Sequence, residues 1–370
     1  MPSSPAATAP RSRQPPCRRW PRCVQPPRRH THAAAHIPVF PDQGLQANDM
    51  RRLFDKGIFT ISIDVELAWG MVDMPMTSQD YAAVYREREV VRRLLDLFST
   101  YNVRATWALV GHLLLECVAE QDGTPLPDFP RPAAADEADW FAQVRDAQRQ
   151  AWCARDMVDM LRRATPAQEI GSHSFAHLRF DEQRTRRAAI EADIAAFTRL
   201  HAGEHLPVAS FIFPYNCIGF RSLLAQAGVR AYRGVSPRWY DGVRPAALRR
   251  ALNLLTVALA LPPRTVLPAR EPGGLVNIPD SMLWYSCRGM RRWLPPRAQV
   301  RMANAGLDAA ARHQRIFHLW FHPSNFAFDM DRHLAQFEDV LRHAQQLTNA
   351  GTLTILTMHD ITRRLHDAAQ

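Results

Sequence analysis

The sequence predicts an α/β fold in which parallel strands form a barrel or a doubly wound sheet. Short apolar, β-branched runs alternate with amphipathic helical segments, an order that favours parallel pairing of the strands. The length of 370 residues, of which 46% are hydrophobic, suffices for one large barrel domain or two smaller domains. No internal repeat is apparent, so a repeat architecture is not predicted.

Two strands and a helix open the domain. The run Phe59–Ile63 is short and β-branched, and Val103–Val110 is a second such run, which Gly111 ends. Between them, Tyr81–Tyr101 has leucine and valine at the spacing of a helix face. This order predicts two parallel strands joined by a helix.

The later elements alternate in the same way. The helix Arg221–Ala227 ends at Gly228, a residue suited to a helix C-cap, and Pro214 stops the strand before it. Two stretches have the composition of insertions, at 121–140 and 236–273. The remaining predicted elements are helices at 153–163 and 188–200 and strands at 169–171, 209–213, 275–278, 316–321 and 352–357.

The positive charge of the chain lies mainly near its start. The formal net charge is +10, yet residues 1–57 contain ten basic and three acidic residues, so the rest is nearly balanced. Residues 1–50 are rich in proline and arginine and have no periodicity, which predicts a disordered tail before a domain over 57–365. A basic arm for nucleic acid or anionic lipid is the alternative. A nucleic-acid partner is disfavoured because the basicity belongs to the tail.

The composition favours a cytoplasmic protein. The six cysteines lack the close pairs of a zinc knuckle or a redox motif, and no disulfide framework is indicated, so a reducing compartment is expected. The N-terminus lacks the apolar core of a signal peptide, and no apolar run reaches the roughly 18 residues that a membrane span needs. We expect a cytoplasmic protein that can still contact a membrane surface.

Acidic residues and histidines follow several of the predicted strands. Asp64 and Glu66 follow the first strand. His173 and His177 follow the third strand, and His322 follows a late one. Each residue alone has an ordinary explanation as a surface histidine or a turn former. Catalytic groups gather at the carboxyl ends of parallel strands, so the joint placement predicts a site.

The residue types in this set are those of a metal-dependent hydrolase. Two histidines four residues apart can point to one side of a helical turn and chelate one ion, and a carboxylate would complete the set. The ion would lower the pKa of its water while a second carboxylate accepts the proton. His322 could then protonate a departing amine. Zinc is the default ion, although other first-row divalent ions tolerate these ligands.

These motifs resemble those of the polysaccharide deacetylase (NodB-like) family over roughly 57–361. His173-Ser-Phe-Ala-His177 matches the family's His-Ser/Thr-x-x-His motif, and Ser62-Ile-Asp-Val-Glu66 is similar to an Asp-x-Glu form of its acidic motif. Val103–Gly111 resembles the family's second strand, and Ile316–Pro323 resembles the late strand that bears a catalytic histidine. The resemblance implies a distorted (β/α) barrel with about seven parallel strands.

The resemblance also implies a role for each matching residue. Asp64 would be the general base and His322 the general acid. The backbone N–H of Tyr215, in a tight turn, could face the oxyanion. The metal ligands would be Glu66, His173 and His177.

The implied reaction is the hydrolysis of an N-acyl group, such as acetyl, from a sugar or a polysaccharide precursor. One divalent metal ion, zinc by default, would be the cofactor. A cytoplasmic location favours a nucleotide- or lipid-linked sugar as the substrate. Two alternatives stay open: a related carbon–nitrogen hydrolase that acts on a small non-polymer amide, and a non-catalytic barrel that binds a glycan.

Three features depart from the family pattern. The acidic pair is split by Val65, so either carboxylate is open as the metal ligand. Ile212 stands where the family commonly has an arginine that restrains the base, and Arg233 on the next strand is a candidate replacement. The acid that supports the catalytic histidine has no clear counterpart. Asp280 and Asp360 are the candidates, with loop solvation as the alternative for both.

The insertion at 236–273 contains a leucine-rich run at 252–261 between arginines. One interpretation is a helix packed on the barrel, with arginines at its solvated ends. The other is an interfacial element that brings the site to a lipid-linked sugar.

Overall fold

The computed structural model describes residues 54–115 and 149–367, and their strands form one curled, mostly parallel sheet. The sheet order is β6-β7-β5-β4-β3-β2-β1-β9-β8, with β10 beside the start of β1, and only β6 and β7 pair antiparallel. The strands are β1 (Gly57–Val65), β2 (Thr106–Leu109), β3 (Glu169–Ser172), β4 (Ser210–Phe211), β5 (Ala231–Gly234), β6 (Ala269–Arg270), β7 (Val276–Pro279), β8 (Met282–Leu283), β9 (Ile316–Phe321) and β10 (Leu353–Ile355).

Helices fill most of the connections between these strands. The first begins at a capping box, in which Thr77 Oγ1 accepts from the Asp80 amide at 3.3 Å and the Thr77 amide donates to Asp80 Oδ2 at 2.9 Å. The α-helices of the described residues are α1 (Ser78–Thr100), α2 (Arg155–Arg163), α3 (Arg187–Gly203), α4 (Arg221–Gln226), α5 (Ala246–Ala258), α6 (Ala298–His313), α7 (Met330–Asn349) and α8 (Met358–Asp367).

The residues between β7 and β8 link the two ends of the sheet. The Asp280 amide donates to the Gly234 carbonyl of β5 at 2.9 Å, and the Ser281 amide donates to the His318 carbonyl of β9 at 2.9 Å. One continuous stretch of chain therefore pairs with β5 on one side and with β9 on the other. Counted once, that stretch brings the number of parallel segments along the barrel to seven, apart from β10, which pairs with β1 off this path. The predicted fold is confirmed.

Successive side chains of β1 point to opposite faces of the strand, one of them apolar and the other polar. Phe59, Ile61 and Ile63 face the helices and belong to the main apolar core. Ser62 and Asp64, on the opposite face, are buried and contact the Arg233 side chain of β5. Because β1 and β5 are not neighbours in the sheet, these polar groups lie in the interior of the barrel.

Two long helices, α6 and α7, were not predicted from the sequence. Half of the buried residues of α6 are three alanines and Gly306, which add little apolar contrast with the exposed face. In α7, Leu334, Phe337 and Leu341 have regular helical spacing and are buried, so this helix could have been predicted.

Some predictions fall outside the described residues, namely the tail at 1–50 and the insertion at 121–140. Cys153 is disulfide-bonded, although the cysteine spacing indicated no disulfide framework, whereas Cys217 and Cys287 are free thiols. Within 54–115 and 149–367, no helix has the length and apolar character needed to cross a membrane.

Candidate active site

Glu66 is the centre of a cluster at the carboxyl ends of the barrel strands. Its Oε1 lies 2.9 Å from His173 Nε2, 3.3 Å from His177 Nε2 and 3.2 Å from His322 Nε2. Burial raises the pKa of Glu66, but the neighbouring histidines outweigh burial and hold it well below its usual value. A Cβ at position 70 would clash with Glu66 Oε2, so Gly70 leaves room for this carboxylate.

The loop that carries the two histidines is not a helical turn, so that expectation is wrong. Ser174 and His177 have positive φ angles of 66° and 57°. The buried carboxylate of Asp193, in α3, accepts the amides of Phe175 and Ala176, each at 2.9 Å, and the Ser174 hydroxyl at 3.2 Å. These three bonds stabilise a conformation that non-glycine residues adopt at a cost.

Replacing Asp193 with alanine is expected to lower both stability and metal affinity. It leaves two buried amides without an acceptor, at about 1–3 kcal/mol each. It also loosens the histidine loop, for which a loss of about 10–100-fold in metal affinity is typical. Urea unfolding and metal titration measure the two effects. Asp193→Asn keeps one acceptor oxygen and should be milder. An alanine variant equal to wild type in both assays would show that the histidine loop keeps its conformation without Asp193.

Asp64 is held by Arg233 of β5, not by a residue at position 212. The guanidinium makes a bidentate ion pair with Asp64, at 2.6 Å to Oδ1 and 2.7 Å to Oδ2, and also donates to Ser62 Oγ at 3.1 Å. Its flat face stacks on Trp320 at 4.0 Å. Burial opposes ionisation of Asp64, but Arg233 outweighs it and lowers the pKa of the carboxyl. The candidate replacement for the missing arginine therefore occupies the expected place, and Ile212 is buried and apolar.

His322 faces both carboxylates of the site. Its Nε2 lies 3.8 Å from Asp64 Oδ2, in addition to its contact with Glu66. Burial lowers the pKa of His322, yet the two carboxylates raise it to about 9. Its backbone N–H donates to Asn325 Oδ1 at 3.0 Å, which fixes the turn after β9.

Neither candidate acid contacts the His322 ring. Asp280 accepts the Trp320 indole N–H at 2.9 Å, and the Trp320 ring lies edge-on to His322 at 5.6 Å, so Asp280 acts at most through Trp320. Asp360 forms an ion pair with Arg104 at 2.8 Å and accepts the Thr357 amide at the start of α8. Loop solvation is wrong for both acids because both are buried.

Tyr215 adopts the strained turn that follows β4. Its φ is 56° and its ring lies 4.6 Å from that of His177. The phenol donates to Asp73 Oδ1 at 3.1 Å, and Arg179 both pairs with Asp73 at 2.6 Å and stacks on the Tyr215 ring at 3.6 Å. Asp73 and Arg179 thus fix the turn. Nothing in the sequence identified them.

Glu87 is a second buried acid that the sequence analysis missed. It belongs to α1 and is 2% exposed. Burial, reinforced by the charge of Glu66, raises the pKa of Glu87 to about 8, and His322 opposes this rise. The sequence does contain a signal for Glu87, because an acidic residue on the apolar face of a helix is rarely placed there without a role. The same signal identifies Asp193, which lies on the apolar face of α3 between Ile190 and Phe197.

No family model matches this sequence, and no curated protein matches it. Solved structures do. The chain is similar to a protein described as a polysaccharide deacetylase from Mycobacterium smegmatis, with 14% identity and a TM-score of 0.53 over 85% of this chain and 92% of that one.

Two further structures give the same result. PuuE allantoinase is 12% identical, with a TM-score of 0.51 over 84% of this chain and 90% of that one. A protein described as a polysaccharide deacetylase from Pseudomonas aeruginosa PAO1 is 14% identical, with a TM-score of 0.51 over 84% and 91%. At these identities the likeness establishes the fold. The chain therefore has the fold of the polysaccharide deacetylase structures, as its motifs predicted.

Proposed function

We propose that this chain is a metal-dependent hydrolase that removes an N-acyl group, acetyl in the simplest case, from a sugar. The observation that carries the proposal is the convergence of Glu66 Oε1 with the Nε2 atoms of three histidines at the carboxyl ends of the barrel strands. The deacetylase fold supports the same reaction class. A nucleotide- or lipid-linked sugar precursor is the proposed substrate.

The ligand atoms of Glu66, His173 and His177 fit a divalent ion. They lie within 4.8 Å of one another. The His173 Nδ1–H donates to the Ile212 carbonyl at 2.8 Å, so Nε2 of the neutral ring carries the lone pair. That lone pair faces the Glu66 carboxylate at 2.9 Å, where two acceptors need a cation or a proton between them. Zinc is the proposed ion.

The contacts of the two carboxylates favour one division of roles. Both oxygens of Asp64 are bound by Arg233, which leaves Glu66 as the carboxylate whose oxygen faces the histidine pair. Glu66 is therefore the proposed ligand. Asp64, kept ionised by its guanidinium, is the proposed general base.

The remaining steps use residues of the chain itself. When bound, the ion would lower the pKa of a water molecule and polarise the acyl carbonyl. Asp64 takes the proton of the attacking water. The Tyr215 amide donates to the oxyanion. His322 donates a proton to the departing amine. Its Nε2 lies 3.8 Å from Asp64 Oδ2, beyond hydrogen-bond distance, so the proton taken by Asp64 reaches it through a water or the substrate.

Hydrolysis of a small non-polymer amide is the second candidate. The same residues would serve, and the TM-score with PuuE allantoinase equals that with the Pseudomonas aeruginosa protein. Release of acetate from N-acetylated sugars supports the first candidate. Turnover of allantoin without any acetate release supports the second. Full metal binding with neither activity supports a non-catalytic glycan-binding barrel.

Replacing His173 with alanine is expected to remove most of the bound metal and the activity at neutral pH, because the ion loses one of three ligands. Elemental analysis of the purified protein and acetate release are the measurements. The matched control is His343→Ala in α7, where the histidine pairs with Asp308 at 2.7 Å outside the cluster. A double variant at His173 and His177 that keeps a full equivalent of metal would place the ion elsewhere.

A further inference from the structure

The exposed apolar side chains of the protein are concentrated in two segments. Ten large apolar residues are exposed within the described ranges, and eight of them lie in residues 235–261, here the helix segment, or 289–293, here the rim segment. In the rim segment, Met290 is 69% exposed and Trp293 is 77% exposed. The helix segment carries Val235, Trp239, Leu248, Leu255, Leu259 and Leu261. Such a concentration is unusual for a solvated surface.

Four of the six leucines of the helix segment are exposed to solvent. Leu248, Leu255 and Leu259 are spaced seven and four residues apart, so they share one side of α5. Val257, the buried residue of this helix, is nine residues after Leu248, about two and a half turns, and therefore lies on the opposite side. The predicted helix is present and packs through Val257, but these three leucines lie outside its buried face. Leu255 and Leu259 are 49% and 61% exposed.

The rim segment, and the helix segment after Asp241, lie in stretches that have only positive charge. Residues 242–270 contain five arginines and no acidic residue, and residues 281–307 also contain five arginines and no acidic residue. Arg244, Arg250 and Arg292 are exposed among them. Leucine and tryptophan beside arginine is the composition of surfaces that bind the headgroup region of anionic bilayers.

Both segments are connected to the edge of the barrel that carries the site. The helix segment follows β5 and the rim segment follows β8, and parallel strands end at the same edge. Arg288, next to the rim segment, stacks on Phe328 at 3.8 Å and donates to Gln79 Oε1 at 3.2 Å. Phe328 belongs to the loop that begins at His322, so the rim segment is anchored to a loop of the site.

We propose that the helix and rim segments dock the protein on an anionic lipid surface. The docking proposal rests on the proposed function, and together they make the substrate a lipid-linked N-acylated sugar. Charge favours a bilayer over a second copy of the chain. A symmetric dimer formed through this face would place arginines opposite arginines, because each copy presents the same patch. Anionic lipid headgroups would instead neutralise these arginines.

The test uses the full chain and vesicles of phosphatidylglycerol or of phosphatidylcholine alone. Wild type should bind the anionic vesicles, less tightly as salt rises. Leu255→Asp and Trp293→Asp should each weaken binding by about tenfold or more, because each variant loses an apolar side chain that would be buried in the bilayer. Tyr85→Asp, at a residue 37% exposed in α1, is the matched control and should bind like wild type. All of these proteins share the same basic N-terminal residues, so differences between them report the two segments.

Activity on a soluble N-acetylated sugar should be equal in all four proteins. Absence of that activity throughout would overturn the proposed hydrolase and leave the vesicle result standing. The docking proposal fails if wild type ignores anionic vesicles or if the Asp variants bind them as tightly as wild type. It also fails if Leu255→Asp lowers the melting temperature by several degrees, which would make that leucine core. Conversion of a dimer to a monomer by Leu255→Asp, seen by sedimentation, would assign the face to a second copy.

Discussion

Replacing Asp64 with asparagine is expected to lower kcat by about 10²–10⁴-fold while most of the metal stays bound. The amide has nearly the shape of the carboxylate and can still accept one N–H from Arg233, but it cannot take a proton from water. Acetate release and elemental analysis of the same preparation measure the two properties. A thermal melt checks that the variant is folded, because the guanidinium loses its counter-charge.

Glu66→Gln is the matched variant. It should lose most of the metal, since Glu66 Oε1 faces both histidines of the loop. The opposite pattern, with metal lost from Asp64→Asn and kept in Glu66→Gln, would exchange the roles of the two carboxylates.

Replacing Arg233 with methionine is expected to destabilise the fold by about 3–5 kcal/mol at pH 7, because it leaves Asp64 buried and unpaired. Urea unfolding measures the effect. Arg179→Met is the matched control. Its ion pair with Asp73 is partly exposed, with 27% and 24% of the two side chains accessible, so the loss there should be about 1 kcal/mol or less.

The pH dependence of this effect has a definite sign. In the wild type the pKa of Asp64 lies below 3.8, so the ion pair stabilises the fold above about pH 4, and this stabilisation is lost as pH falls through the folded pKa. Without Arg233, burial is opposed only by the charges of His173 and His322, so the pKa of Asp64 should rise. The variant should therefore recover stability between pH 7 and pH 5, and the acid limb of its activity should move to higher pH. A variant whose stability only falls with pH would contradict this account.

The sequence predicted the barrel and the residues that meet at its edge because both follow from local patterns. Asp64, His173 and His322 each stand at the end of an apolar run, and parallel strands bring such ends together. The replacement of the missing arginine was harder. Arg233 is a plausible candidate from its strand, but only the curl of the sheet shows that its side chain reaches β1.

Other features of the site could not be predicted, because no nearby sequence pattern determines them. Ser174 and His177 adopt left-handed backbone conformations without being glycine or asparagine, since Asp193, about 20 residues later, stabilises the loop. The roles of Asp280 and Asp360 were also undecided. Both are buried hydrogen-bond acceptors, and their partners are set by packing between distant segments.

The guanidinium of Arg233 joins β5 to β1 through the interior of the barrel, although β2, β3 and β4 lie between them in the sheet. Moving either strand out of the barrel would leave an unpaired charge in its buried interior. We therefore expect the amide hydrogens of both strands to exchange with solvent only through the same global opening, and at the same slow rate. The residue pair that prepares the proposed base thus also sets the cooperativity with which the barrel opens.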